Sequence, residues 1–197
     1  MMKKTFKIGG THPNDSKISS SCKIEVLPLP KTVYVSMAQH LGAPAKPIVE
    51  VGAELKTGQV IAEPGGFISA FVHSPVTGTV KSIAPRQDLA GNWMTHIEIT
   101  VADEDVWAEG IDTTKDIVTK LPEDNAFIID RIKSNGVVGL GGATFPTHVK
   151  LCPPPGKKAD CLILNGAECE PYLTSDNRIM IERSREIVIG AALMKKV

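Results

Sequence analysis

The stretch Gly139-Leu140-Gly141-Gly142-Ala143-Thr144-Phe145-Pro146-Thr147-His148-Val149-Lys150 concentrates residue types that suit an anionic ligand. Gly139, Gly141 and Gly142 let a backbone approach a ligand closely and present unobstructed N–H groups, which suits a phosphate. Lys150, eight residues past the last of them, adds a point charge. Phe145 is held extended by Pro146, a geometry that suits stacking on an aromatic ring. Each has a plainer reading: a tight turn for the glycines, a surface cation for Lys150, core packing for Phe145.

A second cluster follows the apolar run Cys161-Leu162-Ile163-Leu164, namely Asn165-Gly166-Ala167-Glu168-Cys169-Glu170-Pro171-Tyr172. The run reads as a short buried strand, and ligands of α/β sheets sit at strand ends. The amide of Asn165 and the carboxylates of Glu168 and Glu170 can hydrogen-bond ribose hydroxyls and ring N–H groups. An Asn-Gly turn and two solvated carboxylates are the plainer account. Together the two clusters read as one nucleotide site.

The elements that position these residues are legible around them. Pro122-Glu123-Asp124 precedes Ala126-Phe127-Ile128-Ile129-Asp130-Arg131-Ile132-Lys133, with Gly136 beyond, the charge order and glycine stop of a helix. Ile128, Ile129 and Ile132 make its apolar stripe. Downstream, Thr174-Ser175-Asp176 offers an N-cap for a helix from Asn177 to about Glu182. Ser184 offers another for Arg185 to Lys196.

Upstream, from Lys31 to about Thr100, the pattern is all-β. Thr32-Val33-Tyr34-Val35 and Ile97-Glu98-Ile99-Thr100-Val101 alternate as half-buried strands do. Glycines break the segments between them regularly, as in a small barrel or sandwich. Val51-Gly52-Ala53-Glu54-Leu55-Lys56-Thr57-Gly58-Gln59-Val60-Ile61 and Ser74-Pro75-Val76-Thr77-Gly78-Thr79-Val80 resemble the lipoyl- or biotinyl-carrier fold. That fold carries its cofactor on a hairpin lysine, and residues 63–72 contain none. Swinging-arm chemistry is therefore not expected, and the β domain is read as a structural or docking module. Phe67 and Phe71 are either a docking face or core.

The expected organisation is an α+β two-domain chain. Residues 1–30 are an extended N-terminal segment able to wrap over a later domain. Residues 31–101 form the barrel-sandwich β domain, 102–122 an acidic linker, and 123–197 an α/β domain. The 22 basic and 22 acidic residues balance, so no net field favours nucleic acid. No apolar run approaches the roughly 20 residues that span a bilayer. Cys22, Cys152, Cys161 and Cys169 have no C-x-x-C spacing and read as reduced, mostly buried or incidental thiols. His12 beside Pro13 lacks a second ligand at metal spacing, so no metal site is expected.

The motifs G-L-G-G-A-T-F-P-T-H-V-K and L-N-G-A-E-C-E-P-Y-L-T-S-D-N-R, with Lys7-Ile8-Gly9-Gly10-Thr11-His12-Pro13 at the start, resemble the RnfC family, the C subunits of Rnf electron-transport complexes. More distantly they resemble the flavoprotein subunit of respiratory complex I. The resemblance implies an α/β domain that binds FMN and NADH. Gly139, Gly141, Gly142, Lys150, Asn165, Glu168 and Cys169 would contact FMN, with Phe145 and Glu170 facing NADH. Leu140 stands where the complex I flavoprotein has an arginine, and Ala167 where it has an aspartate.

The implied activity is electron transfer between NAD(H) and iron–sulfur centres or ferredoxin, with no acid–base catalytic residue. The implied partners are the other subunits of an Rnf-type membrane complex, ferredoxin and NADH, and the implied position is peripheral on the cytoplasmic side. RnfC-type proteins continue into a domain with 4Fe-4S cysteine motifs, which this chain lacks, so the chain is expected to be an N-terminal fragment. Two other classes remain open: a cobalamin-reductase-like flavoprotein, and a non-catalytic assembly or docking module.

Overall fold

The computed structural model describes residues 13–88, 90–114, 116–157 and 159–197. His12 and the Lys7–Thr11 part of the opening motif lie outside them.

Among the described residues, seven strands form the N-terminal domain: β1 (Thr32–Ser36), β2 (Lys46–Pro47), β3 (Glu54–Leu55), β4 (Val60–Glu63), β5 (Val72–His73), β6 (Gly78–Gln87) and β7 (Trp93–Val101). All pairings are antiparallel, in one sheet of order β1-β7-β6-β3 and another of order β2-β4-β5. The alternation read at both ends is correct in register, since Val33 lies opposite Ile99 and Val35 opposite Ile97. Val35, Leu55, Ile61, Val72, Val80, Ile97 and Ile99 from both sheets meet in one apolar core. Burial of this kind contributes roughly 25 cal/mol per Å² of apolar surface.

On the outer face of the larger sheet, a register shift between Val80 and Ser82 sets Lys81 and Ser82 together beside Glu98. A bulge re-aims side chains in this way. Both donate to the Glu98 carboxylate, at 2.9 and 2.8 Å. Glu98 is only 7% exposed, and a buried carboxylate is tolerated only when paired and hydrogen-bonded. The Lys81 and Ser82 bonds hold its pKa below the usual carboxylate range.

The acidic segment after β7 lies on the barrel. Thr57 N–H donates to the Val106 carbonyl at 3.0 Å, Ala108 N–H to the Thr57 carbonyl at 2.8 Å, and the Thr57 hydroxyl to Asp105.

The C-terminal half contains α1 (Asn125–Ser134), α2 (Thr147–Lys150), α3 (Ser175–Glu182) and α4 (Ser184–Lys196). Asp124 caps α1 by accepting from Ala126 N–H at 2.9 Å, Arg131 and Lys133 occupy its last turn, and Asn135 is its C-cap. Gly136 follows with φ +63°. That left-handed residue turns the chain against the barrel: a Cβ on it would lie 2.2 Å from the Phe71 carbonyl oxygen. Only glycine permits both the conformation and the approach.

The strand expected at residues 161–164 does not form. Leu162, Ile163 and Leu164 are exposed, Ile163 by 81%. A short apolar run becomes a strand only where a neighbouring strand supplies hydrogen bonds and a face to bury. Among the described residues after Val101 there are only isolated bridges, such as Val138 with Pro146. All four cysteines are free, in keeping with reduced, incidental thiols, and exposed rather than mostly buried.

Residues between Asp15 and Ile24 hydrogen-bond to the helical half. Asp15 accepts from Tyr172 N–H at 2.8 Å through its carbonyl. Lys17 donates to the carbonyls of Glu170 and Leu173 at 2.9 and 2.8 Å. Arg178 donates to the Ser20 carbonyl, and Ile24 N–H to the Glu182 carboxylate. The Arg178 bond, helped by Ile24, lowers the Glu182 pKa.

Candidate functional site

Gly139 and Phe145 close the glycine loop through a backbone bond of 3.0 Å, and Val137 accepts from Thr147 N–H at 3.0 Å. The hairpin-like base leads directly into α2, so Lys150 folds back over the loop. A Cβ on Gly139 would lie 3.0 Å from Lys150 Nζ, which places the ammonium over bare backbone. At Gly141 and Gly142 an added Cβ would meet nothing within 4 Å, so the loop tip opens to solvent. Thr144 sits at φ +43°, a left-handed conformation that costs a non-glycine residue about 1–2 kcal/mol. Strain of this kind concentrates where a loop clamps a ligand.

Behind the loop, His148 is 8% exposed and its Nδ1 is buried without a hydrogen-bond partner. Burial, then the charges of Lys133 and His40, lower its pKa. The buried surroundings therefore favour the neutral ring. His148 stands within the glycine-loop motif, but spacing alone did not single it out.

The second cluster forms a separate turn. Asn165 Oδ1 accepts from Ala167 N–H at 3.1 Å, the local turn that an Asn-Gly pair favours. Gly166 allows Met180 to approach: a Cβ there would be 2.9 Å from its sulfur. Glu168 accepts from Asn177 N–H at 3.1 Å, capping α3, whose N-terminus favours a negative charge. Cys169 and the Glu170 side chain are exposed, and Lys17 grips the Glu170 carbonyl. Lys17 was not legible as a site residue, because its partners are backbone carbonyls more than 150 positions away.

Gly139, Gly141, Gly142, Phe145 and Lys150 are thus brought together on one loop, and Asn165, Glu168, Cys169 and Glu170 on one turn. Among the described residues no hydrogen bond or ion pair joins loop to turn. An open glycine backbone under a lysine ammonium fits the phosphate of a flavin mononucleotide.

A barrel-sandwich domain is followed by a helical segment that carries a glycine loop beside a lysine, and comparison with known proteins makes the architecture specific. The family described as the RnfC barrel sandwich hybrid domain matches residues 4–104, and the Nuo51 FMN-binding domain matches residues 132–197. The chain belongs to the RnfC family. It is 43% identical, over its whole length, to the C subunit of the proton-translocating ferredoxin:NAD(+) oxidoreductase complex of Clostridium ljungdahlii, of which it covers 42%. It is 41% identical over 98% of its length to the Na(+)-translocating counterpart of Acetobacterium woodii, covering 43% of that protein. The C subunit of an ion-translocating oxidoreductase complex from Rhodobacter capsulatus is 38% identical over 95% of the chain, which covers 36% of it. The chain thus spans less than half the length of these relatives.

Proposed function

We propose that this chain is the FMN- and NADH-binding part of an RnfC-type electron-transfer protein, working between NAD(H) and iron–sulfur centres or ferredoxin in an ion-translocating complex. The observation that supports the reading is the Lys150 ammonium beside the bare Gly139 backbone, at the foot of a loop open at Gly141 and Gly142, inside a match to an FMN-binding domain. FMN, when bound, supplies a ring that accepts a hydride and releases electrons singly.

In this reading Lys150 and the glycine backbone hold the phosphate, Phe145 stacks on an aromatic ring, and the 165–170 turn contributes polar contacts through Asn165, Glu168, Cys169 and Glu170. Lys17 and Asp15 keep that turn in place. No residue is assigned a proton-transfer step. In this reading the electrons pass to 4Fe-4S clusters held elsewhere in the complex.

The partners are the other subunits of the complex, ferredoxin and NADH. The position is peripheral, on the cytoplasmic side of the membrane. Among the described residues no helix is long and apolar enough to cross a membrane.

Titration of the chain into FMN, followed by flavin fluorescence, tests the site. Lys150→Ala should weaken binding about tenfold or more, the cost of one lost charge-assisted bond. Unchanged affinity removes Lys150 from the site. One observation favours a second reading, a docking module without flavin affinity: Asn165 is engaged within its own turn and Glu168 by the Asn177 N–H of α3. Failure of the wild-type chain and of the full-length protein to bind FMN would select it.

A further inference from the structure

Pro171 and Tyr172 form the corner of the turn that follows Glu170. Tyr172 takes φ +68° there, a left-handed conformation that glycine or asparagine normally fills at the corner after a proline. A bulky side chain is strained in it. The chain thus keeps a tyrosine where glycine would sit without strain.

The corner is locked from outside. The Asp15 carbonyl accepts from the Tyr172 N–H at 2.8 Å. Lys17 Nζ donates to the carbonyls on either side of it, Glu170 at 2.9 Å and Leu173 at 2.8 Å. Just beyond, the Ser19 and Thr174 hydroxyls share a hydrogen bond of 2.8 Å. Strained residues persist only where their surroundings over-determine them, and they cluster at ligand clamps. Here the locking bonds come from residues more than 150 positions upstream.

What the lock holds out to solvent is an aromatic ring. Tyr172 is 62% exposed, and among the described residues its hydroxyl has no hydrogen-bond partner. Neither packing nor a side-chain bond within the chain therefore offsets the strain. An oriented, open ring presents stacking area to a flat heteroaromatic ligand. Two residues earlier the Glu170 side chain is also exposed, and a carboxylate can accept from ribose hydroxyls. A ring and a carboxylate on one locked turn complement a nucleoside.

We propose that Tyr172 is a ligand-binding residue whose ring stacks on one of the two base rings of NADH. The proposal rests on the reading of this chain as an FMN- and NADH-binding protein, and adds to it a contact on the turn rather than on the glycine loop.

The test is anaerobic isothermal titration calorimetry of NADH into the whole chain carrying FMN already reduced with dithionite, so that no hydride transfer accompanies binding. Tyr172→Gly and Tyr172→Asn both suit the left-handed corner and remove the ring. The expected result is saturable NADH binding by the wild type, weakened about tenfold in both variants, the scale of one lost base stack. Tyr172→Phe keeps the ring and should bind as the wild type does. Urea midpoints of the Gly and Asn variants should equal or exceed that of the wild type, which separates the loss from misfolding. Titrations with ADP-ribose and with nicotinamide mononucleotide tell the two base rings apart: the half-molecule whose affinity falls in Tyr172→Gly carries the stacked ring. Unchanged NADH affinity in the Gly and Asn variants, an equal loss in Tyr172→Phe, or a loss for neither half-molecule would overturn this proposal alone. FMN-loaded wild-type chain that binds no NADH would overturn it too. A chain and a full-length protein that bind no FMN would overturn the functional reading, and this proposal with it.

Discussion

Gly136→Ala probes how the helical half is attached to the barrel. Gly136 has φ +63°, and a left-handed conformation costs alanine about 1–2 kcal/mol. The new Cβ would also lie 2.2 Å from the Phe71 carbonyl oxygen and 3.2 Å from its carbon. Relief requires the α1 end and the Phe71 backbone to part by about an ångström, and overpacking of that kind costs about 1–3 kcal/mol. The expected total is about 2–5 kcal/mol. Gly52 and Gly110, at φ +89° and +80°, have nothing within 4 Å of an added Cβ, so alanine there carries only the backbone cost. Urea unfolding followed by circular dichroism for the helices and by Trp93 and Trp107 fluorescence for the barrel separates the effects. Gly136→Ala should lower the helical midpoint most and the barrel midpoint least. Equal losses for Gly136→Ala and Gly110→Ala would refute the close contact.

Three further outcomes follow from the same structure. Ile99→Ala, at a fully buried position of the central strand β7, should cost about 3 kcal/mol of barrel stability by chemical denaturation. His73 and His148 both have pKa values below 6.5, through burial first, so the folded state favours the neutral rings. Their contribution is intact above pH 6.5 and is lost as pH falls through and below that value. The melting temperature should drop between about pH 7.5 and about pH 5.5, and His148→Gln should flatten the drop. Lys17→Met removes the bonds to the Glu170 and Leu173 carbonyls, costing about 1 kcal/mol at an exposed site. It should speed proteolysis within residues 166–174, while cleavage of the barrel stays unchanged.

How much was legible depended on the range of the signal. The α1 helix could be read because Asp124 at its start and Arg131, Lys133 and Gly136 at its end are all signals local to one ten-residue helix. The barrel could be read because Val33, Val35, Ile97 and Ile99 alternate and pair in the expected register. The glycine loop was legible as exposed backbone, and Lys150 Nζ lies beside Gly139.

What failed required knowledge of neighbours. Cys161–Leu164 has a strand's composition but finds no strand to pair with. That Asn165 and Glu168 also accept from the Ala167 and Asn177 N–H groups could not be read without the fold. Lys17 acts on carbonyls, which carry no sequence signature. Glu98 looked like one polar position in an alternating strand, and only the bulge at Lys81 makes it a buried ionic centre.

The central claim is that the Gly139–Lys150 loop holds FMN where NADH can reduce it. The direct measurement is the absorption spectrum of the chain after FMN is added and the excess removed, followed by anaerobic addition of NADH. The account predicts retained flavin absorption that bleaches with NADH and is lost in Lys150→Ala. A chain and a full-length protein that both emerge colourless, or a bound flavin that NADH leaves oxidised, would contradict it.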